Sequence, residues 1–149
     1  MVLASRLVLI ADDDAHIRTL MQSVVEDLVG VDTRTVADGE AAVALAKQLL
    51  PDLILLDLMM PKLNGIEAIR RLRADEATRA IPVIAVTASG WSVSQSAVMA
   101  GCTSVVAKPF DVVELADRVQ DALDSPTGDA RPPLELFGDE SGMTDFDDA

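Results

Sequence analysis

Short apolar runs alternate with stretches of helical periodicity five times between Arg6 and Asp124, and few folds accept that pattern. The runs are Arg6 to Ala11, Thr33 to Ala37, Leu53 to Asp57, Val83 to Thr87 and Ser104 to Ala107. The third and fourth are apolar almost throughout, as in strands buried on both faces. Alternation of this kind predicts parallel strands joined by crossover helices. The expected class is α/β, a doubly wound five-stranded parallel sheet.

The segments between the strands carry their own signals. Ile17, Leu20, Met21, Val24 and Leu28 repeat at three and four, which predicts an amphipathic helix ending at Gly30. Asp38 caps a second helix, Ala41 to Leu50, stopped by Pro51; Asn64 caps a third, running through Ile66, Ile69 and Leu72. Gly101 closes the fourth. The fifth begins after Pro109, with Asp111 near its positive end and Val112, Leu115, Val119 and Leu123 facing inward, and it fades near Asp124.

Half of the 149 residues are hydrophobic and a quarter charged, the balance of a chain with a real core. Acids outnumber bases 25 to 12, so a nucleic-acid backbone would be repelled, and no nucleic-acid partner is expected. One cysteine, Cys102, and one histidine, His16, can make neither an internal disulfide nor a four-ligand zinc site. No apolar run approaches the roughly 18 residues of a membrane span, and no signal peptide is visible. A cytoplasmic protein without membrane insertion is expected.

From Ser125 onward the composition changes. Three of the seven prolines (Pro126, Pro132 and Pro133) and seven acids against Arg131 alone fall within residues 125–149. Residues 1–124 are expected to form the domain and 125–149 a disordered acidic tail, in which Leu134, Leu136 and Phe137 form a short apolar cluster.

In an open parallel sheet, ligands bind beyond the carboxyl ends of the strands. Those ends carry Asp12, Asp13 and Asp14 on the first strand, Asp57 on the third, Thr87 on the fourth, and Lys108 followed by Pro109 on the fifth. Asp14 alone suits a helix cap; three acids in a row exceed that need. Two carboxylates about 5 Å apart repel by roughly 3 kcal/mol at an effective dielectric near 20, so Asp12, Asp13 and Asp57 together call for a cation or a proton. Hard oxygen ligands point to Mg2+. Asp57 is the candidate nucleophile toward phosphorus, being ionised at neutral pH without a general base. Lys108 would neutralise phosphoryl oxygens and Thr87 would donate a hydrogen bond to one.

With LVLIADDD, LILLDLMMP, IPVIAVTA and VVAKPF in this order, the stretch from Arg6 to Asp124 resembles the response-regulator receiver domains of two-component signalling. The resemblance implies a flavodoxin-like sheet in the order 2-1-3-4-5 and phosphorylation of an aspartate from a partner's phosphohistidine. It implies Asp57 as acceptor, Asp13 as a direct Mg2+ ligand and Asp12 as a ligand mainly through water. The backbone carbonyl of Met59 would complete the protein ligands. Thr87 corresponds to the switch hydroxyl, Lys108 to the phosphate-pairing lysine, and the bond before Pro109 to a cis peptide. Its implied partners are a sensor histidine kinase or a histidine phosphotransfer protein, and a downstream protein target.

One departure stands out: Val105 occupies the position three before the lysine, where the family often has an aromatic residue, and the chain has no tyrosine. Trp91 is the aromatic that could serve instead, although packing is its expected role. Met59 and Ser89 sit two residues beyond acceptor and threonine, where the family tunes water access. Slow self-hydrolysis is expected, because Met59 offers water no group to orient it; a phosphate half-life of seconds in a discharge assay would contradict this.

Other features read more plainly. His16 is expected on a solvated helix face, Cys102 as a small packed residue, and Arg70, Arg71, Arg73 and Arg79, interleaved with Glu67, Asp75 and Glu76, as a solvated helix face. Dinucleotide binding lacks its glycine-rich first loop. A Mg2+-dependent phosphatase with an aspartyl intermediate lacks the expected Asp-x-Asp followed by Thr or Val, has no length for a cap domain, and remains the enzyme alternative. A receiver-shaped interaction module without phosphate turnover is the other. The leading expectation is a regulator with no enzymatic activity beyond self-phosphotransfer and slow self-dephosphorylation.

Overall fold

Branched and leucine-rich runs build five strands in the computed structural model, which describes residues 6–124: β1 (Leu7–Ala11), β2 (Asp32–Val36), β3 (Leu53–Leu56), β4 (Val83–Thr87) and β5 (Ser104–Ala107). They form one parallel sheet in the order β2-β1-β3-β4-β5, the order the resemblance implies. The second strand starts at Asp32, one residue earlier than its composition suggests, and the third ends at Leu56, so Asp57 is the first residue beyond it. The acidic stretch 125–149 lies outside the described residues.

Period two along the strands sends alternate side chains to opposite layers. Leu9, Ala11, Ile54, Leu56, Val83 and Ala85 join the core beneath α2 (Gly39–Leu49), α3 (Gly65–Ala74) and α4 (Trp91–Ala100). Val8, Ile10, Leu53, Leu55, Ile84 and Val86 join the core beneath α1 (Ala15–Ser23), its continuation Val24–Val29, and α5 (Val112–Asp124). Each fully buried Leu or Ile contributes about 2 kcal/mol of burial free energy, which is what holds both layers to the sheet.

Caps fall where the sequence places them. Asp38 accepts from the Ala41 amide at 2.8 Å and Asn64 from the Glu67 amide at 2.9 Å. Asp111 accepts from the amides of Val113 and Glu114. The second helix starts at Gly39, ahead of the expected Ala41, and Leu50 closes it in a left-handed conformation.

Four inward assignments are corrected. Beyond Ser23 the first helix widens to a π-helix, Val24–Val29, in which Val24 and Val25 are buried, Val29 packs against the same core and Leu28 is turned outward. Leu20 is exposed as well. Val112, the first residue of α5, is also exposed, and the core face of that helix begins at Leu115. Trp91, expected to pack, is 59% exposed, because Ser94, Ala97 and Val98 form the buried side of α4.

Arg73 is the exception within its arginine-rich helix. Arg70 and Arg71 pair with Glu67, and Arg79 with Glu76, as a solvated face would. The Arg73 guanidinium instead donates to the carbonyls of Gly101 at 2.9 Å, Arg79 at 3.1 Å and Ile81 at 2.6 Å, tying the end of α3 to the loops before β4 and after α4. Burial lowers its pKa from the usual arginine range.

Candidate functional site

The strand ends converge on one crevice. β1 runs directly into Asp12, whose amide donates to the Val36 carbonyl and whose side chain is fully buried. Asp13 follows, exposed, and Asp14 turns away to cap α1, accepting from the amides of His16 at 2.8 Å and Ile17 at 3.2 Å. Those two hydrogen bonds hold its pKa below the usual carboxylate range. So the acidic triplet divides: Asp14 caps the helix, while Asp12 and Asp13 stay beside Asp57. Oxygens of Asp12, Asp13 and Asp57 lie within 4.8 Å of one another.

Asp57 is held from both sides. Its amide donates to the Ala11 carbonyl at 2.9 Å, continuing the β1–β3 ladder, while one carboxylate oxygen accepts from the Met59 amide at 3.2 Å. Burial and the neighbouring charge of Asp12 raise its pKa above the ordinary value, against the pull of the Met59 amide and Lys108. Lys108 reaches in from the end of β5, its ammonium 2.7 Å from Asp12 and 3.4 Å from Asp57. Burial alone would lower the lysine pKa, yet the hydrogen bond to Asp12 and the charges of both acids outweigh it and hold the pKa above the ordinary value. The Lys108–Pro109 bond is cis.

Thr87 ends β4 and is buried; its hydroxyl oxygen accepts from the Ser89 amide at 3.0 Å. Its carbonyl accepts from the Lys108 amide at 2.9 Å, so threonine and lysine are joined through the backbone. Met59, two residues past Asp57, is 63% exposed. Every site residue expected from the sequence therefore sits at the carboxyl edge of the sheet.

Three contributors went unnoticed in the sequence. The Arg18 guanidinium donates to the Asp12 carbonyl at 2.8 Å, steadying the acid from the first helix. Gly65, at the start of α3, has no side chain because an added Cβ would lie 2.5 Å from the Asp57 carbonyl oxygen and 2.6 Å from Leu58 Cα; its amide donates to the Leu58 carbonyl at 2.9 Å. The Asn64-Gly65 dipeptide signals a turn but not that contact. Gly39 lies as tightly against Leu63.

Three carboxylates against one ammonium leave an excess of negative charge on hard oxygen donors, and such a donor set fits a divalent cation of the magnesium type.

Cys102 is buried, with its thiol pushed up to about 12 by desolvation, as a packed and unreactive residue should be.

Comparison with known proteins agrees with this geometry. Residues 8–120 match the family described as response regulator receiver domain. The DNA-binding dual master transcriptional regulator RpaA of Synechocystis is 43% identical over 114 residues, 76% of this chain and 47% of its own length. The phosphate regulon transcriptional regulatory protein PhoB of Pseudomonas aeruginosa is 35% identical over 138 residues, 91% of this chain and 60% of its own. The chain thus spans about half to three-fifths of these relatives. Among solved structures, the receiver domain of the Pseudomonas aeruginosa sensor histidine kinase PA1611, described with a magnesium ion coordinated in its active-site cleft, superposes with a TM-score of 0.75. It is 33% identical and covers 81% of this chain and 99% of its own. With its acids, threonine and lysine at the carboxyl edge of a 2-1-3-4-5 sheet, this chain belongs to the response regulator receiver-domain family.

Proposed function

We propose that Asp57 accepts a phosphoryl group from a partner's phosphohistidine and that the resulting acyl phosphate sets which proteins the domain contacts, or is passed on in a phosphorelay. The observation that carries this reading is the convergence of Asp12, Asp13 and Asp57 within 4.8 Å, with the Lys108 ammonium on two of them. In the transfer, one Asp57 oxygen forms a bond to phosphorus as the P–N bond of the phosphohistidine breaks. The imidazole nitrogen keeps the bonding pair and leaves with the partner. Lys108, already 3.4 Å from Asp57, is in reach of a phosphoryl oxygen. The Thr87 hydroxyl, accepting from Ser89, keeps its own proton for donation to another. Asp13, Asp57 and the Met59 carbonyl, with Asp12 mainly through water, would hold Mg2+, which would supply positive charge against the phosphoryl oxygens and the crowded acids.

Two coarser features bear on a phosphorylation-driven contact role. No helix among the described residues is long and apolar enough to cross a membrane. DNA binding is stated of relatives that extend well past the shared stretch, and the acidic balance of this chain favours protein partners. Turnover is confined to the chain's own phosphate, which leaves slowly because Met59 brings no polar group to water.

Intact-mass spectrometry with a small phosphodonor tests the reading. The expected result is one phosphoryl adduct that requires Mg2+ and vanishes in Asp57→Asn. Equal adduct after chelation or in that variant would overturn it. Catalytic release of phosphate from many esters would instead indicate a phosphatase, and no adduct at all an interaction module.

A further inference from the structure

From the contacts at the β2–α2 turn we infer that Gly39 is a positioning residue for the phosphoacceptor loop, a role that rests on the reading of Asp57 above. Gly39 opens α2 just after the turn that follows β2, and β2 lies on the far side of β1 from β3. Yet it is buried against the loop that follows Asp57: a Cβ there would stand 1.9 Å from the Leu63 carbonyl oxygen, 2.8 Å from its carbonyl carbon and 2.9 Å from its Cβ. The nearest obstacle is backbone, which cannot swing aside as the end of a side chain would. Only glycine allows the start of α2 to close on this loop.

The loop it meets is tightly wound. The Leu63 amide donates to the Pro61 carbonyl at 2.7 Å, Lys62 has a positive φ of 69°, and Leu63 is buried in the core below α2 and α3. Beside Gly39, Asp38 pairs with Lys62 at 3.7 Å. Thus the six residues after Asp57 are fixed at two places. Gly65 seats the near end against Asp57 and Leu58, and Gly39 with Asp38 seats the far end at Lys62 and Leu63. Met59, whose amide holds the Asp57 carboxylate, lies between these supports. A side chain at position 39 must push Leu63 outward, and the displacement travels through a short loop to the atoms that orient the acceptor. The geometry assigns Gly39 to the spacing of the acid cluster, not merely to the stability of the turn.

The test measures the rate of Asp57 phosphorylation by a small phosphodonor as a function of Mg2+ concentration in the full chain, with thermal stability measured in parallel. Gly39→Ala is expected to slow phosphorylation between about 5- and 100-fold, as sub-ångström to 1 Å misplacement does, and to raise the Mg2+ concentration for half-saturation. Val119→Ala, in the opposite core layer beneath α5, serves as a control of matched stability loss with an unchanged Mg2+ dependence. Lys62→Gln removes only the ion pair at the same seam and is expected to shift half-saturation in the same direction by about twofold.

Wild-type rate and Mg2+ dependence in Gly39→Ala, or losses reproduced by Val119→Ala, would overturn the assignment. Should Gly39→Ala not fold, an unchanged Mg2+ dependence in Lys62→Gln overturns it. Absence of phosphorylation in the wild-type chain would instead defeat the reading of Asp57 itself.

Discussion

Lys108 stands closer to Asp12 than to the acceptor: its ammonium is 2.7 Å from the Asp12 carboxylate and 3.4 Å from that of Asp57. The lysine therefore serves two acids at once, and it is the only cation paired with the Asp12, Asp13 and Asp57 cluster among the described residues. Removing it leaves a fully buried carboxylate without a counter-charge. Lys108→Ala is expected to cost about 3 kcal/mol in urea unfolding with chelator present, the low end for breaking a buried pair. Added Mg2+ should recover much of that loss. A loss that is the same with and without Mg2+ would show that the ion and the lysine do not share the acids.

Removing an acid should do the opposite. Carboxylate oxygens within 4.8 Å of one another repel by about 3 kcal/mol or more at an effective dielectric of 20, and Lys108 offsets part of this. Asp57→Asn is expected to stabilise the chain by roughly 1 kcal/mol in chelator and to reduce the further stabilisation by Mg2+. Denaturant midpoints with and without the ion give both quantities, and a destabilised variant in chelator would contradict the crowding.

Met59 is exposed beside the acceptor and offers water no hydrogen-bond partner from its side chain. Met59→Asn supplies an amide that can orient an attacking water but cannot deprotonate it. The phosphoryl adduct should then be lost about 10-fold faster, below the 10²-fold and more that a full general base provides. The decay of the adduct in intact-mass spectra reads this directly; an unchanged lifetime would place the control elsewhere.

Arg73 satisfies three carbonyls from two loops with one planar group. Arg73→Ala should destabilise by about 3 kcal/mol, since charged hydrogen bonds contribute roughly 1.5–3 kcal/mol and the freed carbonyls are partly rehydrated. Arg73→Lys should recover less than half, because a single ammonium cannot span the same three oxygens. Full rescue by lysine in urea titrations would reduce the interaction to charge alone.

Cys102 gives the alkaline limb of stability. Its folded thiol is pushed up from 9.0 to about 12, whereas the unfolded thiol ionises near the ordinary value. Its contribution is therefore complete below pH 9 and is lost as pH rises toward 12, with a slope of up to roughly 1.4 kcal/mol per pH unit. Cys102→Ala should show a flatter decline over that window. Alkylation at pH 8 should label the wild-type thiol only after unfolding, and rapid native labelling would contradict its burial.

The site was more legible in the sequence than the helices were. Strand ends are marked by the abrupt passage from apolar residues to Asp12, Asp57, Thr87 and Lys108, and a parallel sheet leaves them only one edge on which to meet. Leu28 was misplaced because periodicity assumes a turn of 3.6 residues, and nothing local announces the wider turn from Val24 to Val29. Arg73 resembles its neighbours Arg70 and Arg71 in sequence; its partners are backbone carbonyls as far as 28 residues away, which carry no side-chain signature. The contact of Gly39 with Leu63 is likewise created by packing between two turns. Tertiary contacts with bare backbone are what a residue pattern conceals.

Because β3 is bonded to β1 on one side and β4 on the other, with the Asp57 amide itself anchored on Ala11, the acceptor is the stationary part of the machine. The double charge that the proposed phosphorylation would place there could not be absorbed by sliding the strand. Under that proposal the strain would emerge at the rim, where the chain leaves Thr87 through Ala88, Ser89 and Gly90 into a helix bearing no charged residue.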